Sequence, residues 1–71
     1  MLSDVQRSVL LVESRFWRHV GAKEDAIREE TGLTPTRYYQ VLNALTADPE
    51  AWECAPQALA RTVRVRERQR R

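Results

Sequence analysis

Apolar residues recur at helical spacing in two separate stretches of the chain. In residues 2–20 the series is Val5, Val9, Val12, Phe16 and Val20, widened by Leu10 and Trp17. In residues 35–46 it is Tyr38, Val41, Leu42 and Leu45. Apolar positions three and four residues apart place one stripe on the buried side of a helix. The pattern therefore predicts a long central core helix over 2–20 and a shorter helix over 35–46.

Residues 22–46 have the layout of a helix-turn-helix. Gly32 can adopt the left-handed conformation that ends a helix. Thr34 can cap the next helix through its hydroxyl, and Pro35 suits the first helical position because its missing N–H has no partner there. Leu33 lies between them as the apolar residue that pins the turn to the core. The segment therefore predicts a helix over the first ten residues, a turn, and a second helix.

Similar signals predict the remaining helix ends. Ser3 and Gln6 have the form of a capping box at the start of the first helix, and Gly21 is expected to end it. Asp48 is expected to cap a short helix that ends near residue 54. Ala55-Pro56 starts a last helix, which is expected to dock through its first two turns and then to project. The predicted fold is all-α, a compact bundle of four to five short helices containing a tri-helical helix-turn-helix without wing strands.

The outward face of the second helix of the motif carries polar and aromatic residues, which are Thr36, Arg37, Tyr39, Gln40 and Asn43. Arginine pairs with guanine and carboxamides pair with adenine in the major groove, and hydroxyls reach phosphates. This composition is typical of a recognition helix. Thr34 and Lys23, at the N-terminal ends of the two helices, are further candidate DNA contacts. The alternative is an ordinary corner between two helices in a small helical protein.

The net charge of +2 is divided unevenly. Residues 1–60 hold six Lys and Arg against nine Asp and Glu, a balance of −3, whereas residues 61–71 hold six Arg against Glu67, a balance of +5. We therefore divide the chain into a helix-turn-helix domain (1–60) and an arginine-rich helical tail (61–71). Such a tail suits phosphate contact, with Arg61, Arg64 and Arg68 as candidate DNA contacts.

The sequence also predicts the surroundings of three individual residues in or near the core. Glu13 falls inside the apolar arc of the first helix and should pair with an arginine or accept from a tyrosine hydroxyl of the second half of the chain, unless its side chain extends to solvent. Trp52 should close the bottom of the core, the alternative being exposure at a dimer contact. Cys54 should be a small buried or half-buried filler.

Several function classes are excluded or disfavoured by the composition. With 71 residues the chain offers one small core and no deep catalytic cleft, and no nucleophile–base arrangement is present, so we do not expect an enzyme. A single histidine, His19, and a single cysteine predict neither a metal site nor an internal disulfide. No apolar run approaches the roughly 20 residues of a membrane span. No cofactor is expected, and the expected location is the cytoplasm, at the nucleoid.

The chain also resembles a known family of small actinobacterial and actinophage proteins. The resemblance covers about residues 5–65 and rests on Trp17, the run 21–24, Ala26-Ile27, the RYYQ-x-LN string at 37–43, Leu45 and Pro49. That family is of unknown function and helix-turn-helix-like, so the resemblance implies a compact helical bundle and a DNA-binding or regulatory role. One position departs from the general repressor-type motif. Arg28 lies four residues before the turn glycine, at a position where that motif usually has a small residue.

Together these observations predict a double-stranded DNA-binding protein. A small transcriptional regulator would read the major groove with helix 35–46 and hold phosphates with the tail, and a homodimer is possible because two-fold dimers are usual for such small proteins. The chief alternative is a protein-interaction adaptor that docks on RNA polymerase, a sigma factor or a phage–host target. A third is non-specific architectural DNA binding through the tail alone.

Overall fold

The computed structural model describes residues 1–69, and over that range the chain is all-α with no strand. Its elements are α1 (Asp4–Ser14), α2 (Val20–Ala26), a π turn (Ile27–Thr31), α3 (Pro35–Leu45), α4 (Pro49–Cys54) and α5 (Pro56–Gln69). The predicted all-α bundle is therefore confirmed. The predicted boundary between residues 60 and 61 falls inside α5, so the arginine-rich segment continues a docked helix, and Arg70 and Arg71 lie outside the described residues.

Helix α1 is the central helix, as predicted, because it packs against the π turn, α3 and α5. It starts with the predicted capping box: the Gln6 N–H donates to the Ser3 hydroxyl at 3.1 Å, and the Ser3 N–H donates to the Gln6 side chain at 2.8 Å. Its buried residues are Val9, Leu10 and Val12. They share one core with residues of α3, α4 and α5, namely Tyr38, Leu42, Leu45, Ala51, Ala58 and Leu59, and with Ile27 of the π turn.

The predicted length of the first helix was wrong, because α1 ends at Ser14 rather than at residue 20. The Ser14 hydroxyl donates to the Leu10 carbonyl at 2.7 Å, and the chain then turns back so that the Trp17 indole N–H donates to the Val12 carbonyl at 2.8 Å. The Val12 carbonyl would accept the Phe16 N–H in a longer helix, so the indole occupies an acceptor that continuation of the helix would need. Phe16 is consequently 85% exposed rather than buried.

The early end of α1 also changes the residues that follow it. Val20, which was expected in the buried stripe, is exposed at the first position of α2. Val5, at the start of the stripe, is exposed as well. Gly21 lies inside α2 rather than ending α1. The core is therefore smaller on this side than the apolar pattern indicated, and Trp17 contributes from a loop, half-buried against it.

The turn between α2 and α3 has the predicted chemistry. Gly32 has φ +74°, the left-handed conformation that favours glycine, and Leu33 packs half-buried against the core. The Thr34 hydroxyl accepts the Arg37 N–H at 3.2 Å, and Pro35 is the first residue of α3. A hydroxyl cap of this kind stabilises a helix by about 1 kcal/mol. The N-terminus of α3 is therefore fixed by local interactions.

The segment before this turn is a π turn rather than plain α-helix. The Thr31 hydroxyl donates to the Ile27 carbonyl and accepts the Leu33 N–H at 3.1 Å, so it links the π turn to the turn after it. Arg28 is exposed and its guanidinium pairs with Asp25 at 2.8 Å. Its long side chain therefore does not lie between the two helices of the motif.

Helices α4 and α5 close the bundle. Asp48 caps α4 as predicted, accepting the Glu50 N–H at 2.9 Å. Trp52 is half-buried against the core and donates from its indole N–H to the Thr46 carbonyl at 2.8 Å, which agrees with its predicted packing role. The predicted setting of Cys54 was wrong, because its side chain is exposed at the last position of α4. The small core residues of this region are alanines instead.

Candidate nucleic-acid interface

The outward face of α3 is the candidate interface. Its apolar side is fixed by the buried residues Tyr38, Leu42 and Leu45, with Val41 half-buried beside them. Because a helix turns once every 3.6 residues, the intervening positions point to solvent. All five predicted outward residues are exposed, which confirms their orientation: Thr36, Arg37, Tyr39, Gln40 and Asn43. Their contacts with DNA stay a prediction.

Two of these residues interact on the exposed face. The Arg37 guanidinium donates to the Gln40 side-chain oxygen at 3.3 Å. Arg37 retains most of its five N–H donors and Gln40 retains its amide donors, so the pair can present several hydrogen-bonding groups to a base edge. Thr34, the remaining candidate on this helix, is exposed, but its hydroxyl already serves as the helix cap.

A groove with a volume of about 570 Å³ runs between α3 and α5. The α3 side of the groove contributes Tyr39, Leu42 and Asn43. The α5 side contributes Arg61, Thr62, Val65, Arg66 and Gln69, and Glu13 and Lys23 also line it. The groove therefore combines an apolar lining with cationic and hydrogen-bonding groups. It lies between the outward face of α3 and the arginine-rich helix α5.

The arginines of α5 differ in their settings. The Arg61 guanidinium donates to the Glu13 backbone carbonyl at 2.8 Å, and the Arg66 guanidinium donates to the Thr46 hydroxyl at 3.2 Å. All four arginines in the described part of α5 are exposed, and Arg61 and Arg66 line the groove, whereas Arg64 and Arg68 are not among its lining residues. We predicted that α5 would dock through its first two turns and then project. The Arg66 contact shows that it stays against the bundle further than that.

Arg66 was missed as a candidate contact in the sequence. The predicted set of Arg61, Arg64 and Arg68 follows the spacing of one helical stripe, and Arg66 lies outside that stripe. Its approach to Thr46 depends on how α5 packs beside the C-terminal end of α3. A periodicity within one helix carries no information about that packing.

Lys23 has a different setting from the one that the sequence suggested. Its ammonium pairs with the Glu13 carboxylate at 2.9 Å, and the two side chains are only 18% and 14% exposed. The same ammonium lies 5.8 Å from the ring centre of Tyr38 and 5.3 Å from that of Tyr39. Lys23 is therefore an internal counter-ion that also contacts the base of the α3 face, rather than a free cation at the start of a helix.

Glu13 has a tyrosine partner, as predicted, and this partner fixes α3 against α1. The Tyr38 hydroxyl donates to the Glu13 carboxylate at 2.7 Å and lies 3.3 Å from the Val9 carbonyl. Burial raises the pKa of the Tyr38 hydroxyl well above its usual value, and the hydrogen bond to the Glu13 carboxylate raises it further. The hydroxyl is thus a permanent donor, and Glu13, Lys23 and Tyr38 form one network beneath the groove.

A second groove of about 500 Å³ lies next to the first and shares Tyr39, Lys23 and Arg61 with it. Its apolar lining includes Phe16 and Val20, which are 85% and 76% exposed. Both residues were expected in the core, so the apolar pattern did not predict this exposed apolar surface. It follows directly from the early end of α1.

The acidic residues of α2 and the π turn face solvent: Glu24, Asp25, Glu29 and Glu30 are all exposed. Asp25 pairs with Arg28, and Glu30 pairs with Arg15. Within residues 1–69 no group of three or more His, Cys, Asp or Glu side chains could hold a metal ion. No helix in this range is long and apolar enough to cross a membrane.

The structure defines a class of small all-α protein in which the exposed polar face of one helix and an arginine-rich helix line a common groove. The chain belongs to the family described as "Protein of unknown function (DUF3263)", whose pattern matches all of residues 1–71. The searches of curated proteins and of solved structures each found no match.

Proposed function

We propose that the protein binds double-stranded DNA, with α3 in the major groove and the arginines of α5 on phosphates. The observation that carries the proposal is the exposed face of α3, where Arg37, Gln40 and Asn43 offer the side-chain types that pair with base edges. The helix begins at a capped N-terminus after a three-residue turn, and N-terminal residues of a recognition helix usually contact the bases.

The charge distribution supports the same proposal. The exposed cations Arg61, Arg64, Arg66 and Arg68 lie on α5, which lines a groove together with α3, whereas the exposed acids lie on α2 and the π turn. Phosphate contacts supply affinity without sequence information, and α3 supplies the choice of sequence. A protein of this kind is a small transcriptional regulator acting in the cytoplasm at the nucleoid, as the helix-turn-helix-like actinobacterial and actinophage resemblance implies.

The test is the enrichment of duplexes from a pool of genomic fragments by the full chain, across a salt series. We expect retention at about 50 mM salt and selection of particular fragments at about 200 mM. The double variant Arg37→Ala with Gln40→Ala should retain DNA at low salt but lose the selection. Its matched control is Arg7→Ala with Gln57→Ala, which removes the same two side-chain types from exposed positions on other surfaces.

Two results would count against the proposal in different ways. If the full chain retains no duplex at about 50 mM salt, the protein does not bind DNA. If it retains DNA but the Arg37 and Gln40 variant selects the same fragments as the wild type, α3 does not read sequence. Binding would then be architectural and would depend on α5 alone.

A protein-interaction adaptor is the second candidate, favoured by the exposed apolar residues Phe16 and Val20. Clustered exposed apolar side chains mark protein contacts, and the body of the domain carries a balance of −3 over residues 1–60. A partner in the transcription machinery or a second copy of the chain would cover this surface. Phe16→Ser should then abolish association while leaving any DNA retention unchanged, and an unaffected association would reject this surface.

A further inference from the structure

The groove between α3 and α5 has the chemistry of a binding site for a sugar–phosphate strand. Arg61 and Arg66 supply positive charge, and Tyr39 and Asn43 supply hydrogen-bonding groups across from them. Leu42 and Val65 supply its apolar lining. A DNA strand presents anionic oxygens and apolar deoxyribose faces together, so both parts of the groove have a counterpart in it.

The two groove arginines are held in place before any ligand arrives. Arg61 is fixed by the Glu13 carbonyl and Arg66 by the Thr46 hydroxyl, each through one guanidinium nitrogen. A guanidinium has five N–H donors, so most of them remain available for phosphate oxygens. A side chain that is already ordered loses less conformational entropy on binding. The Glu13 carboxylate in the same groove is paired with Lys23 at 2.9 Å, which limits its repulsion of an anion.

The exposed face of α3 is divided by this groove. Tyr39 and Asn43, four residues apart, line it together with α5, whereas Thr36, Arg37 and Gln40 are not among its lining residues. Residues four apart lie on the same side of a helix, so Tyr39 and Asn43 form the edge nearest α5. The other three residues form the remainder of the outward face.

We infer that one sugar–phosphate strand of a bound duplex lies in the α3–α5 groove, held by Arg61 and Arg66. Tyr39 and Asn43 contact this strand, and base reading falls to Arg37 and Gln40. The inference rests on the proposed DNA binding and deepens it. It assigns Asn43 to affinity rather than to sequence choice. It also narrows the phosphate contacts proposed for α5 to Arg61 and Arg66, so that Arg64 and Arg68 contribute only their long-range charge.

The test compares two double variants of equal charge change: Arg61→Gln with Arg66→Gln, and Arg64→Gln with Arg68→Gln. Affinity for one selected duplex and one random duplex is measured across a salt series. Each phosphate contact adds about 0.9 to the slope of log affinity against log salt. We expect the groove variant to lose about 10-fold or more on both duplexes and to lower that slope by about 2. The matched variant should lose about 3-fold or less.

A third variant tests the role assigned to the α3 edge. Asn43→Ala should weaken binding to both duplexes by the same factor, whereas Gln40→Ala should weaken the selected duplex more than the random one.

Since Arg61 also bonds to the Glu13 carbonyl, a melting curve checks that the variant Arg61→Gln with Arg66→Gln is folded. If that variant is unfolded, Arg66→Gln and Arg68→Gln are compared instead, because each removes a single exposed charge.

The outcomes separate the two proposals. Equal losses in the two double variants, or a change of preferred sequence in Asn43→Ala, would overturn the groove assignment while leaving DNA binding in place. Absence of binding by the wild type at about 50 mM salt would overturn both. A larger loss in the groove variant with unchanged sequence preference would establish the strand position.

Discussion

Tyr38→Phe should destabilise the protein by about 2 kcal/mol, because it removes only the hydroxyl from the network beneath α3. That hydroxyl is fully buried and donates to the Glu13 carboxylate at 2.7 Å. A hydrogen bond to a charged group contributes about 1.5–3 kcal/mol, and the lower half of this range applies because Lys23 still pairs with Glu13 in the variant. The ring remains, so the loss of core packing is small.

The assay is thermal and urea unfolding followed by circular dichroism. For a chain of this size about 2 kcal/mol corresponds to a fall in Tm of about 8–16 °C. The matched control is Tyr39→Phe, which removes the same atom from an exposed ring and should change the free energy of unfolding by less than about 0.5 kcal/mol. A double-mutant cycle with Glu13→Gln then isolates the coupling between Glu13 and Tyr38.

A result within about 0.5 kcal/mol of the wild type for Tyr38→Phe would refute this reasoning. It would mean that water satisfies the hydroxyl in the unfolded chain as well as Glu13 does in the folded protein. The hydrogen bond would then add no net stability. A coupling energy near zero, with a large loss in each single variant, would point instead to the Val9 carbonyl as the important acceptor. That carbonyl lies 3.3 Å from the hydroxyl.

Three further predictions concern stability and exposure. Because the pKa of Tyr38 is raised in the folded protein, the tyrosine ionises near pH 10 only in the unfolded chain. Its contribution to the free energy of unfolding is therefore fully present below pH 10 and should fall by up to about 1.4 kcal/mol per pH unit above it. Tyr38→Phe should reduce this slope in urea unfolding. Gly32→Ala should cost about 1 kcal/mol or more in the same assay, because alanine is strained at φ +74°, and an unchanged Tm would contradict this. The Cys54 thiol should react fully with a thiol reagent in the folded protein, whereas slow reaction limited by unfolding would show that it is covered.

The turn and α3 could be predicted from the sequence because their signals are local. Gly32, Thr34 and Pro35 define the helix ends within a few residues, and the outward face of α3 follows from periodicity alone. The early end of α1 could not be predicted in this way. The apolar spacing continues through Phe16, whereas in the structure the Trp17 indole takes the Val12 carbonyl that the next turn of helix would use. A side chain that folds back in this manner overrides periodicity.

In the candidate site, too, the features set by local sequence could be predicted and those set by tertiary packing could not. The α3 face was predictable, and the position of Glu13 within an apolar arc correctly required a polar partner, which is Tyr38. The groove could not be predicted, because it forms between α3 and α5, whose relative position depends on how α5 packs on α1 and α4. The enclosure of Lys23 also required tertiary structure, since its partner lies on another helix.

The π turn at Ile27–Thr31 has a consequence for how this chain aligns with others. A π turn arises when one residue is added within an α-helix, so the segment is one residue longer than the α-helical path it replaces. An alignment with an ordinary helix-turn-helix therefore needs a single-residue gap before Gly32. Without that gap, Arg28 is matched to a position that faces the partner helix, although it is exposed here. Within the family, loss of one residue in this segment should preserve the fold by converting the π turn to regular helix.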